Sequence, residues 1–188
     1  MKTAIFDIET SGLYANFGIL LCCSVKDYQP DGRGKVKTFR ADRYPTWKTH
    51  RTDCKQITCD IVDYLKEYDI LVAHNGQYFD KQWLNTLCLL YGHNPSIRWT
   101  KLIDPVLLAR RHLRLGRNSL DTLIDYFGIP DKKTHVSGRL WLAAAIEGNR
   151  SAMGQIVEHC ELDVKSLEGV YNRVRKLVER IDNRGSAQ

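Results

Sequence analysis

Two acidic residues near the start of the chain have the spacing of a metal-binding pair. Asp7 and Glu9 belong to residues 3–9, which read Thr-Ala-Ile-Phe-Asp-Ile-Glu and predict a buried strand. Alternate residues of a strand point to the same side, so both carboxylates project from one face. Buried charge is costly unless it is paired or binds metal, and the pair therefore calls for a cation. The alternative, an edge strand with two solvated acids, is disfavoured because Phe6 and Ile8 leave little room for a polar outer face.

A third candidate acid follows a second short apolar segment. Residues 70–73 read Ile-Leu-Val-Ala and predict a buried parallel strand, and Asp80 lies at the start of a helix predicted over residues 80–91. At that position Asp80 could instead only cap the helix and favour its dipole. Asp104, which follows another short strand, is a weaker candidate that we interpret as a helix cap or as a support for the site.

The last candidates lie near the C-terminus, on a long predicted helix. His159 and Asp163 are four residues apart, and residues at this spacing share one face of a helix. An imidazole and a carboxylate can therefore reach one site together, and a histidine can accept a proton near neutral pH. The alternative is an ordinary pair on the protein surface.

The order of predicted elements indicates the fold class. Three strands are predicted at residues 3–8, 18–26 and near 35–40, with a turn at 31–34 between the second and the third. Helix and strand then alternate: a helix at 54–68, the strand at 70–73, the helix at 80–91, a strand ending at 103–104 and a helix from Pro105. This order predicts an α/β fold whose mixed sheet has three antiparallel strands and then parallel strands, flanked by helices.

The last third of the chain is predicted to be helical. Ser119 is a candidate N-cap for a helix at 120–127, which Gly128 ends. A long C-terminal helix is indicated by one apolar stripe, formed by Met153, Ile156, Cys160, Val164, Leu167, Tyr171, Val174, Leu177 and Ile181. We expect a single domain over residues 1–182 and a frayed tail at 183–188.

Composition narrows the class of protein. The chain of 188 residues is 43% hydrophobic and 27% charged, which is typical of globular proteins, and no apolar run is long enough to span a bilayer. The acid at position 7 argues against a signal peptide, so we expect a cytoplasmic protein that does not contact membranes. The six cysteines show no CxxC spacing, and we interpret them as reduced and structural rather than as a zinc site.

The formal charge of +6 is unevenly distributed along the chain. Basic residues cluster in three groups, each of which could alone be a solvated helix face: Arg110, Arg111, Arg114 and Arg117; Lys132, Lys133 and Arg139; and Arg173, Arg175, Lys176 and Arg180. A basic surface around an acidic pocket suits a polyanionic substrate that is held for metal-dependent chemistry.

Four segments together resemble a known family. They are Phe6-Asp7-Ile8-Glu9-Thr10-Ser11-Gly12-Leu13, His74-Asn75-Gly76 with Phe79-Asp80, Ser119-Leu120 with Phe127-Gly128-Ile129, and His159-Cys160-Glu161-Leu162-Asp163. The first, second and fourth are similar to the three motifs of the DEDD superfamily of 3′–5′ exonucleases, which share a ribonuclease H-like fold. The second motif has the form found in the proofreading domains of family B DNA polymerases. The resemblance covers residues 2–172.

The resemblance implies a function and a set of site residues. It implies a 3′–5′ exonuclease of single-stranded nucleic acid, DNA being favoured, that uses two Mg²⁺ or Mn²⁺ ions. The implied metal ligands are Asp7, Glu9, Asp80 and Asp163. Contacts with the terminal nucleotides are implied for Thr10, Leu13, Asn75 and Phe79, although Phe79 could instead be a core residue.

His159 departs from both branches of this family. The histidine branch places its histidine five residues before the last aspartate, and the tyrosine branch places a tyrosine four residues before it. Here a histidine stands four residues before Asp163, and we predict that His159 is the general base.

Other functions remain open from the sequence. One is a structure-specific or endonucleolytic nuclease of the same fold, and another is a catalytically silent module that binds nucleic acid. The silent module is disfavoured because it would have no reason to bury four carboxylates. The partners expected are a single-stranded 3′ end and, in addition, a possible polymerase or repair protein.

Overall fold

A mixed five-stranded sheet forms the centre of the computed structural model, which describes residues 1–95, 101–130 and 136–182, with side chains up to Leu177. The strands are β1 (Thr3–Thr10), β2 (Leu20–Asp27), β3 (Val36–Arg40), β4 (Ile70–Val72) and β5 (Leu102–Ile103). They lie in the order β3-β2-β1-β4-β5. The pairs β1–β2 and β2–β3 are antiparallel, whereas β1–β4 and β4–β5 are parallel. The predicted mixed sheet is therefore confirmed.

In the ranges that the structure describes, six α-helices flank this sheet. They are α1 (Lys55–Leu65), α2 (Asp80–Tyr91), α3 (Pro105–His112), α4 (Leu120–Phe127), α5 (Gly138–Leu142) and α6 (Arg150–Asp182). No helix in the described part of the chain is both long enough and apolar enough to cross a membrane. The sequence predicts helix throughout the last third of the chain but did not separate α5 and the π-helix Ala143–Glu147 from α6. It did not indicate the two short 3₁₀ helices at Ala41–Arg43 and Pro45–Lys48.

The two faces of β1 have different neighbours, and this difference positions the candidate site. Phe6 and Ile8 belong to a core cluster that includes side chains of α1 and α2. Ile5 belongs to a second cluster with side chains of α3, α4 and α6. Asp7 and Glu9 follow Ile5 at spacings of two and four residues, so they share its face of the sheet.

Helix α6 packs against the sheet along the apolar stripe that the sequence predicts. Its buried members in the described part of the chain are Met153, Ile156, Cys160, Val164, Leu167, Tyr171 and Val174. Leu177 is partly buried, and the side chain of Ile181 lies outside the described residues. The stripe holds α6 against β1 and β2, and His159 and Asp163 are carried on the same helix. The predicted tail at 183–188 also lies outside the described residues.

The six cysteines are free thiols, and five of them are buried. Cys22 and Cys23 lie on the central strand β2, and Cys160 lies in the stripe of α6. Their positions agree with the prediction of reduced, structural cysteines.

A buried ion pair joins the hairpin between β2 and β3 to α6. Lys26 Nζ lies 3.0 Å from Glu168 Oε2, and the two side chains are 4% and 7% exposed. The same ammonium group donates hydrogen bonds to the carbonyl oxygens of Gly32 and Gly34. The pair therefore fixes the β2–β3 turn to a helix that lies 142 residues away along the chain.

Substituting Glu168 with alanine is expected to lower the free energy of unfolding by about 3–5 kcal/mol, because it leaves the Lys26 ammonium buried without its counter-charge. Urea denaturation measures the loss. The control is the double variant Lys26→Met/Glu168→Leu, which removes both charges and is expected to be nearly neutral. A loss below about 1 kcal/mol in the single variant would contradict this interpretation.

Candidate active site

The structure brings the predicted acids together at one edge of the sheet. Asp7 and Glu9 project from β1, Asp163 projects from α6, and Asp80 is the first residue of α2. Ligand atoms of Glu9, His159 and Asp163 lie within 4.8 Å of one another. Asp80 is 2% exposed and interacts electrostatically with Asp7 and Glu9. Four carboxylates and one imidazole therefore share a single site.

Burial and repulsion between neighbouring acids raise the pKa values of three of these carboxyl groups, those of Asp7, Glu9 and Asp80. Burial holds the pKa of Asp7 well above its usual range, and Glu9, Asp80 and Asp163 raise it further. Burial, Asp163 and Asp80 raise the pKa of Glu9 to about 9. Among the described residues, no lysine or arginine forms an ion pair with Asp7, Glu9 or Asp80. When these three carboxyl groups are ionised, their negative charge is therefore not neutralised by a lysine or arginine of the described residues.

Asp80 does more than begin a helix. Its Oδ1 accepts a hydrogen bond of 3.1 Å from the backbone N–H of Ile8, which lies between Asp7 and Glu9. The carboxyl group thus ties α2 directly to the acidic stretch of β1. Burial raises its pKa to about 7, although this hydrogen bond opposes the rise.

His159 lies between two of the acids. Its Nε2 is 3.7 Å from Asp163 Oδ2 and 3.9 Å from Glu9 Oε1. The ring of Trp141 on α5 meets the imidazole edge-to-face, with the ring centroids 6.5 Å apart. The sequence did not indicate Trp141 as a neighbour of the site, because its short helix shows no clear apolar period.

Cys160 also contacts the site, although the sequence did not indicate a role for it there. Its Sγ lies 3.4 Å from the backbone oxygen of Asp7 and 3.7 Å from Asp7 Oδ2. Burial raises the pKa of the thiol well above its usual value. A protonated thiol is a weak hydrogen-bond donor, and Cys160 therefore supports the orientation of the Asp7 carboxyl group.

Asp104 is the N-cap of α3 and also organises the turn that precedes Asp80. Its Oδ1 accepts hydrogen bonds of 3.0 Å from the backbone N–H groups of Val106 and Asn75, and its Oδ2 accepts one of 3.1 Å from that of Gln77. Asn75 has a φ of +61°, a left-handed conformation that asparagine tolerates better than most residues. The interpretation of Asp104 as a cap or support is confirmed by these contacts.

Replacing Asp104 with alanine is expected to lower the free energy of unfolding by about 2–4 kcal/mol and to lower the nuclease activity that the sequence predicts, since three backbone donors lose their acceptor. Thermal denaturation and an activity assay measure the two effects. Asn149→Ala serves as the control, because it removes the side-chain acceptor for Ala152 N–H at the start of α6 but leaves the turn before Asp80 intact. Equal losses of activity in the two variants would contradict this role for Asp104.

A cavity of about 330 Å³ opens beside the acids. It is lined by three of the four predicted substrate-contacting residues, Thr10, Leu13 and Phe79, together with Glu9, Ser11, Gly12, Gly138, Trp141 and Leu142. Phe79 is partly buried and packs against the core. It therefore contributes both to the core and to the wall of the cavity. Asn75 is exposed in the turn after β4 and is not among the described residues that line this cavity.

The structure describes most, but not all, residues of the predicted basic clusters. The exposed members are Arg110, Arg111, Arg114, Arg117, Arg139, Arg173 and Lys176, and Arg175 is partly buried. Lys132, Lys133 and the side chain of Arg180 lie outside the described residues. The exposed basic groups are available to a polyanion.

Comparisons with known proteins agree with this architecture. The DNA polymerase of Methanocaldococcus jannaschii is 26% identical in an alignment of length 121 that covers 53% of this chain and 7% of that protein. The family B DNA polymerase of Pyrobaculum calidifontis superposes with a TM-score of 0.72 at 17% identity, over 93% of this chain and 24% of the other. Exonuclease I of E. coli, solved in complex with a dT13 oligonucleotide, superposes with a TM-score of 0.58 at 14% identity, over 97% of this chain and 42% of the other.

The chain thus spans less than half the length of each of these relatives. The two superpositions confirm the predicted ribonuclease H-like fold. A family model described as the RNase_H superfamily matches residues 4–175, and because this match covers most of the chain, the protein belongs to the ribonuclease H superfamily.

Proposed function

We propose that this protein is a divalent-metal-dependent 3′–5′ exonuclease that hydrolyses single-stranded nucleic acid, with DNA favoured. The observation that carries the proposal is the convergence of four carboxylates and His159 on one edge of the sheet, beside a cavity lined by Leu13 and Phe79. The similarity of the fold to that of Exonuclease I, whose structure holds an oligonucleotide, supports a nucleic-acid substrate.

The residues present fit divalent metal ions. Hard oxygen ligands on rigid strands and helices suit Mg²⁺ or Mn²⁺ better than Zn²⁺. The raised pKa values of Asp7, Glu9 and Asp80 show that the ionised cluster needs counter-charge, which such ions provide. We propose Asp7, Glu9, Asp80 and Asp163 as the ligands of two ions. Bound there, the ions would supply Lewis acidity to the attacking water and to the departing 3′ oxygen of a phosphodiester.

The side chains around the acids have separate roles in this proposal. His159 Nε2 accepts the proton of the attacking water, and the N–H that forms faces the carboxylates of Asp163 and Glu9, which lie 3.7 and 3.9 Å from this nitrogen. Phe79 and Leu13 bind the terminal nucleotide in the cavity next to Glu9, because an aromatic ring can stack on a base without reading its identity. The Oγ1 of Thr10 donates to the carbonyl of Gly12 and so fixes the wall of this cavity.

Replacing His159 with alanine is expected to lower kcat by about a hundredfold, since a positioned general base contributes on this order. Single-turnover kinetics at saturating Mg²⁺ measure the chemical step. His159→Gln is the matched control, because glutamine keeps the size and hydrogen bonding of the side chain but cannot accept the proton at neutral pH. A glutamine variant with the wild-type rate would show that His159 only positions other groups.

The proposed activity is tested with matched linear and closed circular single strands, of DNA and of RNA, in the presence of Mg²⁺ or Mn²⁺. An exonuclease is expected to degrade the linear strands and to leave the circles whole, and the faster of the two linear strands identifies the preferred sugar. Cleavage of a circle would establish an endonuclease of the same fold instead. Tight binding of the linear strand without cleavage in either metal would establish a silent nucleic-acid-binding module.

A further inference from the structure

A second, smaller cavity lies beyond Leu13 and Phe79. Its volume is about 180 Å³, and these two residues line it as well as the cavity that contains Glu9. Its remaining walls are Tyr14, Ala15, Tyr78, Gln82, Trp83 and Thr86. The two cavities are therefore neighbours that share the side chains of Leu13 and Phe79.

Two exposed tyrosines line this second cavity. Tyr14 comes from the loop after β1 and is 70% exposed, whereas Tyr78 comes from the turn before α2 and is 56% exposed. Each ring is large, but because most of it is exposed to solvent it contributes little to the hydrophobic core. Aromatic rings that are exposed beside a candidate nucleic-acid site are suited to stack on unpaired bases.

The floor of the cavity is rigid. Trp83 is 3% exposed, and its Nε1–H donates a hydrogen bond of 3.1 Å to the backbone oxygen of Leu13. Gly18 closes against the indole, because a Cβ at this position would lie 2.8 Å from Trp83 Cη2. The backbone N–H of Phe17 in turn donates to the backbone oxygen of Tyr14. The loop that carries Tyr14 is therefore held in place before any ligand binds, which lowers the entropic cost of binding.

We propose that this second cavity binds one unpaired nucleobase of the substrate strand, upstream of the terminal nucleotide, by stacking on Tyr14 and Tyr78. The inference rests on the proposed function and adds a binding subsite to it. The cavity is smaller than the roughly 300–1,000 Å³ of a site for a drug-sized ligand, and its size suits a single base better than a whole nucleotide. A base within a duplex cannot enter, so the subsite selects 3′ ends that are unpaired at this nucleotide as well.

The subsite is tested by equilibrium binding of fluorescent single-stranded oligonucleotides in EDTA, so that hydrolysis does not interfere. Tyr14→Ala and Tyr78→Ala are each expected to raise Kd about five- to a hundredfold, the size of the effect of removing one aromatic–base stack. Tyr126→Ala is the matched control, since Tyr126 is 68% exposed on α4 and does not line the cavity. Phenylalanine at position 14 or 78 is expected to retain the wild-type affinity, because the ring is preserved.

An abasic scan of the oligonucleotide locates the base. At one position upstream of the 3′ terminus, loss of the base is expected to raise the Kd of the wild-type protein by the same factor as the double substitution of Tyr14 and Tyr78, because the abasic site removes both stacking contacts. At this position it is expected to cause no further loss in the double variant Tyr14→Ala/Tyr78→Ala. Unchanged affinity in the double variant would overturn the inference, as would an abasic effect that persists in this variant. Equal losses in Tyr126→Ala would overturn it as well.

Hydrolysis of the p-nitrophenyl ester of thymidine 5′-monophosphate separates this inference from the proposed function. This substrate has a single nucleotide and does not reach the second cavity, so the tyrosine variants are expected to cleave it at the wild-type rate. If the wild-type protein fails to cleave both the ester and the oligonucleotides, the proposed function fails, while the binding results still decide whether the subsite exists. If the ester is cleaved but the tyrosine variants bind oligonucleotides normally, only the subsite is refuted.

Discussion

Replacing Asp7 with asparagine is expected to lower the rate of the proposed metal-dependent phosphodiester hydrolysis by at least about a thousandfold, because the change removes the charge of a proposed metal ligand at the centre of the site. The substitution preserves the size of the side chain and its place among Glu9, Asp80 and Cys160. The measurement is the single-turnover rate of nucleotide release at saturating Mn²⁺.

The same substitution is expected to stabilise the metal-free protein at neutral and alkaline pH. Burial and three neighbouring acids oppose ionisation of Asp7, and an amide at this position carries no such cost. If Asp7→Asn is less active but more stable, its loss of activity is due to the lost charged carboxylate and not to unfolding. Asp125→Asn is the control, since Asp125 is exposed on α4, and it is expected to change neither quantity. An Asp7→Asn variant with more than a tenth of the wild-type rate would contradict the role proposed for Asp7.

The metal-free protein is expected to lose stability steadily as the pH rises from 4.5 to about 9. In this range Glu9 keeps its proton in the folded state, where its pKa is raised to about 9, but loses it in the unfolded state, where its pKa is near 4.5. The folded state then binds more protons than the unfolded state, so the free energy of unfolding falls with pH. One such proton gives a slope of about 1.4 kcal/mol per pH unit, and the raised pKa values of Asp7 and Asp80 act in the same direction.

Divalent ions are expected to reverse this loss, because the proposed metal site would bind them through its ionised carboxylates in the folded protein, whereas the unfolded chain has no such site. Urea denaturation over the pH series, in EDTA and in Mn²⁺, measures both effects. Glu9→Gln is expected to flatten the slope in EDTA and to weaken the response to Mn²⁺. Stability in EDTA that rises toward pH 9, or that is insensitive to Mn²⁺, would contradict the electrostatic description of the site.

The periodic elements of this fold could be predicted from the sequence because local patterns specify them. The two-residue alternation placed Asp7 and Glu9 on one face of β1, and the apolar stripe of α6 placed His159 and Asp163 on a helix that packs against the sheet. Helix α4 begins after Ser119 and ends before Gly128, as its capping residues indicate. These features depend on residues that are near one another in the chain.

The features that could not be predicted depend on contacts between distant residues. The pairing of Lys26 with Glu168 becomes possible only when the β2–β3 hairpin meets α6. The hold of Asp104 on the turn at residues 75–77 follows from the parallel pairing of β4 with β5. Trp141 reaches His159 from a short helix without an apolar period. The sequence therefore indicated the acids of the site and Asp104 as a cap or support, but not the contacts through which Asp104 and Trp141 act.

The proposed exonuclease activity can be followed on a short single strand of DNA that carries a label at its 5′ end, incubated with the protein and Mg²⁺. The expected products form a ladder that shortens one nucleotide at a time from the 3′ end, that stops when EDTA is added, and that is absent with Asp163→Asn. Fragments cut from the interior at the earliest times would contradict the proposal, as would a ladder that persists in EDTA or in the Asp163→Asn variant.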